Sequence, residues 1–144
     1  MGVSILRVTA ALSILYILSS TPPACASEIT ISSGATDSAV CAIIEREHAH
    51  GIDLWRAKDM TGALERFKAC ESALQKRSLW MSSILPNRPT ADQMRAYKAT
   101  NSVIFSLASI YQQMHRRTES ERYAQMARER GLLPKVFMAG RTPP

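Results

Sequence analysis

Two groups of side chains in this 144-residue chain could do chemistry: the cysteines, and the histidines and acids of 45-EREHAH-50. Residues spaced by two on a helix point about 200° apart. His48 and His50 therefore cannot easily share a metal ion, unlike histidines spaced by four. Glu45 and His48 can pair, but a surface charge cluster is the favoured interpretation, and we predict no metal site.

Cys41 and Cys70 are the only cysteines outside the expected signal peptide, and an exported protein meets oxidising conditions, so they are natural disulfide partners. If the chain turns near residues 58–59, Cys70 lies opposite Ile44. Cys41 is then about one turn away, at the edge of the bridging range. We expect a Cys41–Cys70 bridge worth roughly 2–4 kcal/mol. The alternative is that Cys70 simply fills a small-residue position between two helices.

Signatures of catalysis are missing from the sequence. It has no nucleophile elbow, no glycine-rich phosphate loop, no Cys–His pair outside the predicted bridge and no paired acids with a pocket signature. We therefore expect a protein that is not an enzyme and has no cofactor.

The first 26 residues have the order of a secretory signal peptide. Arg7 precedes the apolar run 8–18, and Ala24-Cys25-Ala26 supplies the small residues of a cleavage site. An 11-residue apolar run is too short to span a bilayer of roughly 30 Å as a helix. We expect cleavage after Ala26 and export, to a bacterial periplasm. Lipidation at Cys25 is less favoured, because Pro22 stands where lipoprotein signals usually carry Leu, Val or Ile.

Charge is divided unevenly along the remaining chain. Removing Arg7 leaves 17 basic and 12 acidic residues, a net charge of +5. Residues 27–75 hold five basic and eight acidic residues, whereas residues 76–144 hold twelve and four. The basic half could bind nucleic acid, an anionic surface or an acidic protein. Export argues against nucleic acid, and a solvated helix face is the simplest reading.

Apolar residues at steps of three and four predict a first helix over residues 37–57 and a second from about residue 60 to 80. The polar turn between them is short, and Asp59 can cap the second helix. The prolines and Asn of 83-SILPNRP-89 interrupt the pattern.

Two further helices follow, each with a sequence that predicts a capping box. Thr90 and Gln93 start a long third helix that runs to about residue 115, and Thr118 and Glu121 start the fourth. Gly131 is suited to end it. The chain is therefore predicted to be all-α, with a flexible tail at 27–36, one domain at 37–134 and a C-terminal tail at 135–144.

The two helical pairs are related by one constant shift of 57 residues. It maps one set of positions onto another: Gly51, Leu54, Ala63, Phe67 and Cys70 onto Ala108, Tyr111, Ser120, Ala124 and Ala127. Small residues fall on small ones at most of these positions, as expected of an internal repeat.

Both units resemble the tetratricopeptide repeat, with its W-x2-L-G-x2-Y and A-x3-F patterns. The first unit has His50-Gly51-x2-Leu54 and Ala63-x3-Phe67, and the second has Leu107-Ala108-x2-Tyr111. The usual period is 34 residues, so the shift of 57 implies 23 extra residues, assigned to lengthened second and third helices and the proline loop. The resemblance implies two antiparallel hairpins and a scaffold that receives a peptide or helix.

In such repeats the first helix of each hairpin lines the binding groove. The resemblance therefore implies a candidate site on two helices: Glu45, His48, Ile52 and Trp55 on the first, and Ser102, Phe105, Ser109 and Gln112 on the third. The paired Lys and Asn that clamp a carboxylate in some members are absent, so that ligand is not predicted. Alternatively, Ile52, Trp55 and Phe105 complete the core.

These features predict an exported, non-catalytic adaptor or assembly factor in a cell-envelope process. Its partner would be a protein or peptide, such as a component of an envelope or secretion assembly, and not nucleic acid. The alternative is a compact helical bundle whose basic face binds lipid or polysaccharide. The sequence is also compatible with peripheral contact with an anionic membrane and with an oligomer.

Overall fold

A computed structural model describes residues 28–132 of this chain. Four α-helices form this part, without strands: α1 (Asp37–Arg56), α2 (Met60–Lys76), α3 (Ala91–Gln113) and α4 (Arg117–Glu129). The predicted all-α class is confirmed. The expected signal peptide with its cleavage site and the 135–144 tail lie outside the described residues. In the described part, no helix combines the length and apolar character needed to cross a membrane.

The first two helices begin as the sequence predicts. Thr36 caps α1 by accepting a hydrogen bond from the amide of Ala39, and Asp59 caps α2 by accepting one from the amide of Gly62 at 2.9 Å. However, α2 ends at Lys76 rather than near residue 80. Ser78 takes a left-handed conformation (φ 54°), and the amide of Leu79 then bonds back to the helix. The left-handed Ser78 ends the helix, and the resulting cap places Leu79 in the core.

The start of α3 confirms one predicted capping box, and the start of α4 corrects the other. Thr90 and Gln93 exchange both expected hydrogen bonds, at 3.1 and 2.9 Å. The Thr118–Glu121 box does not form, because α4 begins at Arg117 and its N-cap residue Arg116 makes no side-chain cap. Glu121 instead pairs with Arg117 at 2.7 Å. At the other end, Gly131 has the expected left-handed conformation (φ 67°).

The turns inside the two hairpins have the same backbone structure, 57 residues apart. Lys58 (φ 69°) and His115 (φ 56°) are both left-handed, and the residues after them have closely similar angles. The hydrogen bonds also correspond. They run from the amides of Lys58 and Asp59 to Trp55 and Leu54, and from those of His115 and Arg116 to Gln112 and Tyr111. The two turns therefore share one backbone conformation at a separation of 57 residues.

α1 packs against α2, α3 packs against α4, and α3 also contacts both α1 and α2. At the centre of the first hairpin, a Cβ added to Gly51 would lie 2.6 Å from Cε1 of Phe67. A glycine is therefore required for this close approach. As α1 advances from Ile44 to Gly51, its contacts on α2 move back from Cys70 to Phe67, as in a helical hairpin.

A buried polar contact links the two hairpins on the α2–α4 side. The hydroxyl of Tyr123 donates to Glu71 Oε2 at 2.8 Å, and the Tyr123 ring stacks on Tyr111 with centroids 5.6 Å apart. Burial and the neighbouring Glu71 carboxylate raise the pKa of Tyr123 well above its ordinary value of 10.0. The phenol is therefore protonated and acts as a hydrogen-bond donor.

Residues 28–36, predicted as a flexible tail, lie against α2. Ile29, Ile31 and Ala35 are partly buried against the core, and Arg77 donates to the carbonyl of Ala35 at 2.6 Å. A cavity of about 640 Å³ remains between residues 28–31 and the outer face of α2. The alternation of polar and apolar residues in this short stretch is what allows it to cover the helix.

Candidate functional site

The predicted groove residues form two matching stripes. The α1 stripe is Glu45, His48, Ile52 and Trp55, and the α3 stripe is Ser102, Phe105, Ser109 and Gln112. Each has spacings of three, four and three, so each occupies one helix face. The structure places α1 beside α3, and the two stripes have different surroundings.

Glu45 is bound by Arg95 of α3. The guanidinium donates from Nε to Oε1 at 2.9 Å and from Nη2 to Oε2 at 2.7 Å, and its Nη1 donates to Ser38 at 3.0 Å. The hydrogen bond from Arg95 holds the pKa of Glu45 below its ordinary value. In the described residues this is the one ion pair that joins the two hairpins.

His48 lies between the two hairpins. Its Nε2 is 2.8 Å from the hydroxyl oxygen of Ser106, within hydrogen-bonding distance, and its ring centroid is 5.2 Å from that of Phe67. Burial lowers the pKa of His48 from its ordinary value of 6.5, and a hydrogen bond with the backbone of Ser102 acts in the opposite direction. The imidazole is therefore uncharged at neutral pH.

Trp55 closes the far end of the same seam. Its indole Nε1 donates to Gln113 Oε1 at 2.7 Å, and its ring stands edge-on to Phe67, at 6.2 Å and 79°. Ile52, between His48 and Trp55 on the stripe, is partly buried against the core. Ile52 and Trp55 therefore help to complete the core, as in the alternative given above for them. The α1 stripe is largely occupied by intramolecular contacts.

Two of the α1–α3 contacts join residues whose separation along the chain is nearly the 57-residue shift found in the sequence. His48 reaches Ser106 and Trp55 reaches Gln113, both 58 residues further along, so the two helices advance together in the same direction. Inspection of the sequence missed Ser106, Gln113 and Arg95 as contact residues. A sequence signal for Ser106 and Gln113 was present. Adding 57 to the numbers of their partners, His48 and Trp55, gives the positions just before them, 105 and 112.

The α3 stripe faces solvent. Phe105 is 44% exposed, Ser102 and Gln112 are exposed, and Ser109 bonds only to the carbonyl of Phe105 within its own helix at 2.9 Å. Among the described residues, Phe105 and Ile84 are the two exposed large apolar side chains. Ile84 lies in the loop before α3, so Phe105 is the exposed large apolar residue of the predicted face within the described chain.

A small hollow of about 160 Å³ separates the two stripes at one end. It is lined by Ile44, Glu45, His48, Lys98, Ala99 and Ser102. Pockets for drug-sized ligands occupy roughly 300 to 1,000 Å³, so this hollow suits at most a side chain or a small ion.

The predicted Cys41–Cys70 disulfide is not present, and both cysteines are free, buried thiols. The Sγ of Cys70 donates to the carbonyl of Ile44 at 3.7 Å, which confirms the predicted register and leaves Cys41 a turn away. Burial raises the pKa of Cys70 to about 12 and also raises that of Cys41. Neither thiol is therefore suited to act as a nucleophile.

Metal ligands do not cluster in the described part of the chain, where no group of three His, Cys, Asp or Glu residues could hold an ion. His48 is half-buried and His50 is exposed on the same helix. Comparison with protein-family models, with curated proteins and with solved structures gave no match. The functional interpretation therefore depends on the geometry of these two stripes.

Proposed function

We propose that this chain is an exported, non-catalytic adaptor or assembly factor of the cell envelope, built from two tetratricopeptide-like hairpins. The observation that supports it is that the sequence shift between the hairpins and the separation of the residues that join α1 to α3 are nearly the same. The two turns correspond at 57 residues, and the α1–α3 hydrogen bonds join residues 58 apart. Repetition of one hairpin beside another is the architecture of helical-repeat scaffolds, which use extended surfaces to bind proteins.

The binding surface in this proposal is the α3 stripe. Phe105 supplies a partly exposed aromatic anchor of the kind that dominates protein interfaces. Lys98 precedes it by two helical turns, about 10 Å along the axis, and forms no ion pair within the described residues. A segment with an apolar side chain and a carboxylate at a similar separation would match both residues.

The chemistry of the reactive side chains supports a non-catalytic role. The thiols of Cys41 and Cys70 are buried with raised pKa values, and the uncharged imidazole of His48 is bonded to Ser106 beside Phe67. These groups stabilise the contact between elements and face no large pocket.

Capture of partners from an envelope extract by the purified protein tests this proposal. Phe105→Ala removes the anchor, and we expect apparent affinity for a saturable partner to fall about tenfold, or roughly 1.4 kcal/mol. Ile84→Ala is the matched control, because it truncates an exposed apolar residue outside the stripe. Equal effects of the two variants, or no effect of Phe105→Ala, would contradict the proposal.

The alternative, a basic bundle on an anionic surface, has its own support in Arg88 and Lys98, which are exposed and form no ion pair within residues 28–132. Binding to anionic vesicles that falls steeply with salt would favour it. It would replace the adaptor proposal if Arg88→Glu weakened that binding while Phe105→Ala changed no protein capture.

A further inference from the structure

We infer that the α3 stripe receives α1 of a second copy of this chain, so that copies stack head to tail. The inference rests on the proposed function, because it names the partner of the same stripe. It follows from repeating once more the relation by which α3 packs on α1. Helical arrays usually need three or more repeats to bury a continuous core, and two copies would supply four hairpins.

The contacts between copies can be derived residue by residue. Within the chain, His48 meets Ser106 and Trp55 meets Gln113. A shift of 57 residues converts His48 to Phe105 and Trp55 to Gln112. The opposite shift converts Ser106 to Ala49 and Gln113 to Arg56. Phe105 and Gln112 of one copy therefore face Ala49 and Arg56 of the second copy.

These pairs are chemically compatible. Ala49 is exposed, so its methyl group is free to meet the partly exposed ring of Phe105. The side chain of Arg56 is 78% exposed and can donate to the amide oxygen of Gln112. Neither of these two pairs brings like charges together or leaves a charge without a partner, the two faults that most strongly oppose an interface.

Charge also favours a head-to-tail contact over one that joins like ends. Residues 27–75 contain five basic and eight acidic residues, a net charge of −3, and residues 76–144 contain twelve and four, a net charge of +8. Stacking places the acidic half of one copy against the basic half of the next, which favours association and orients it. Such a heterologous contact continues into rings or filaments instead of stopping at a two-fold dimer.

Light scattering and sedimentation of the purified protein over a range of concentrations test this inference. We expect the wild-type mass to rise with concentration past that of a dimer. Phe105→Glu damages the α3 face and Ala49→Glu damages the α1 face. Both positions are exposed, so each variant should fold, and each alone should associate at least tenfold more weakly. Ile84→Glu is the matched control and should behave as wild type.

Mixing the two damaged variants gives the decisive result. Each retains the face that the other lacks, so an equimolar mixture should form a dimer and grow no further. A monomeric wild type, a mixture that stays monomeric, or wild-type association that survives in both variants would overturn the inference. If wild type is monomeric but Phe105→Ala still weakens capture of another protein, this inference fails and the adaptor proposal stands. If Phe105 affects neither, both fail.

Discussion

The α1 and α3 stripes occupy equivalent positions on equivalent helices, yet one is occupied and the other is open. Glu45, His48 and Trp55 all bond to side chains of α3. Their counterparts Ser102, Phe105 and Gln112 are exposed. The difference arises because α1 has the second hairpin beside it, whereas α3 has no further hairpin beside it within the described chain. In the adaptor proposal, the binding surface is therefore the place where a further hairpin would lie.

The hairpins also fill their centres in opposite ways. In the first, Phe67 of α2 is fully buried against Gly51 of α1. In the second, the large residue is Tyr111 of α3, and the position equivalent to Phe67 is the buried Ala124. Cores tolerate such exchanges when total volume and pattern are kept. This explains why the two halves look dissimilar in sequence although their turns correspond.

The largest effect that would sharpen this comparison is expected from Phe67→Ala. Phe67 is fully buried and lies beneath His48 and Trp55, so its loss should lower the free energy of unfolding by about 3–5 kcal/mol. Phe105→Ala is the matched change on the open stripe and should cost less than about 0.5 kcal/mol. Urea denaturation measures both.

Similar losses for Phe67→Ala and Phe105→Ala would contradict the contrast between an occupied and an open stripe. Spectra of each variant after refolding control for aggregation. A loss of stability without a loss of helix content would show that the substitution affected packing and not helix formation.

A smaller effect is expected at the two turns, which share a backbone but differ in capping. Asp59 accepts a hydrogen bond from the amide of Gly62, whereas Arg116 caps nothing and pairs with Glu119. Asp59→Ala should cost about 1 kcal/mol of unfolding free energy. Arg116→Ala removes an exposed ion pair and a cation–π contact with Tyr111 and should cost less. Thermal denaturation that reversed this order would show that the equivalent turns are not stabilised in the way the hydrogen bonds indicate.

The smallest effect is a change in pH dependence at His48. Burial holds its pKa in the folded protein below that of the unfolded chain, so protons bind more tightly to the unfolded state. The contribution is complete above the ordinary pKa of 6.5 and is lost as pH falls through that value toward the folded pKa. The urea midpoint should therefore decrease between about pH 7.5 and 5.5. His48→Gln should flatten this decrease, and His50→Gln, on the exposed side of α1, should not. A decrease that is steeper in His48→Gln than in wild type would refute the assignment.

Local sequence signals predicted much of the fold. Asp59, the Thr90–Gln93 box and Gly131 act through neighbours within a few residues, so their roles follow from residue type and spacing alone. The Thr118–Glu121 prediction was wrong because the turn common to both hairpins starts α4 two residues earlier, with Arg116 and not Thr118 at the N-cap. That turn depends on a left-handed His115, a conformation in which His is enriched but which most His residues do not adopt.

Long-range features were harder to predict. The register that brings Cys70 to Ile44 followed from the turn position, but the predicted disulfide is not present, and the Cys70 thiol instead contacts the Ile44 carbonyl, one turn beyond Cys41. The contact of residues 28–36 with α2 was also missed. Ile29 and Ile31 alternate with polar residues over too short a stretch to show which surface they cover.

The sequence by itself determined the helices, most of their ends and the 57-residue relation between the hairpins, because backbone hydrogen bonding and helix periodicity are local. Only the tertiary structure decided which members of two equivalent stripes are occupied. Glu45 and its partner Arg95 are 50 residues apart, and Trp55 and its partner Gln113 are 58 residues apart. Their pairing depends on how whole helices pack. That packing left Phe105 as an exposed aromatic residue of the second hairpin.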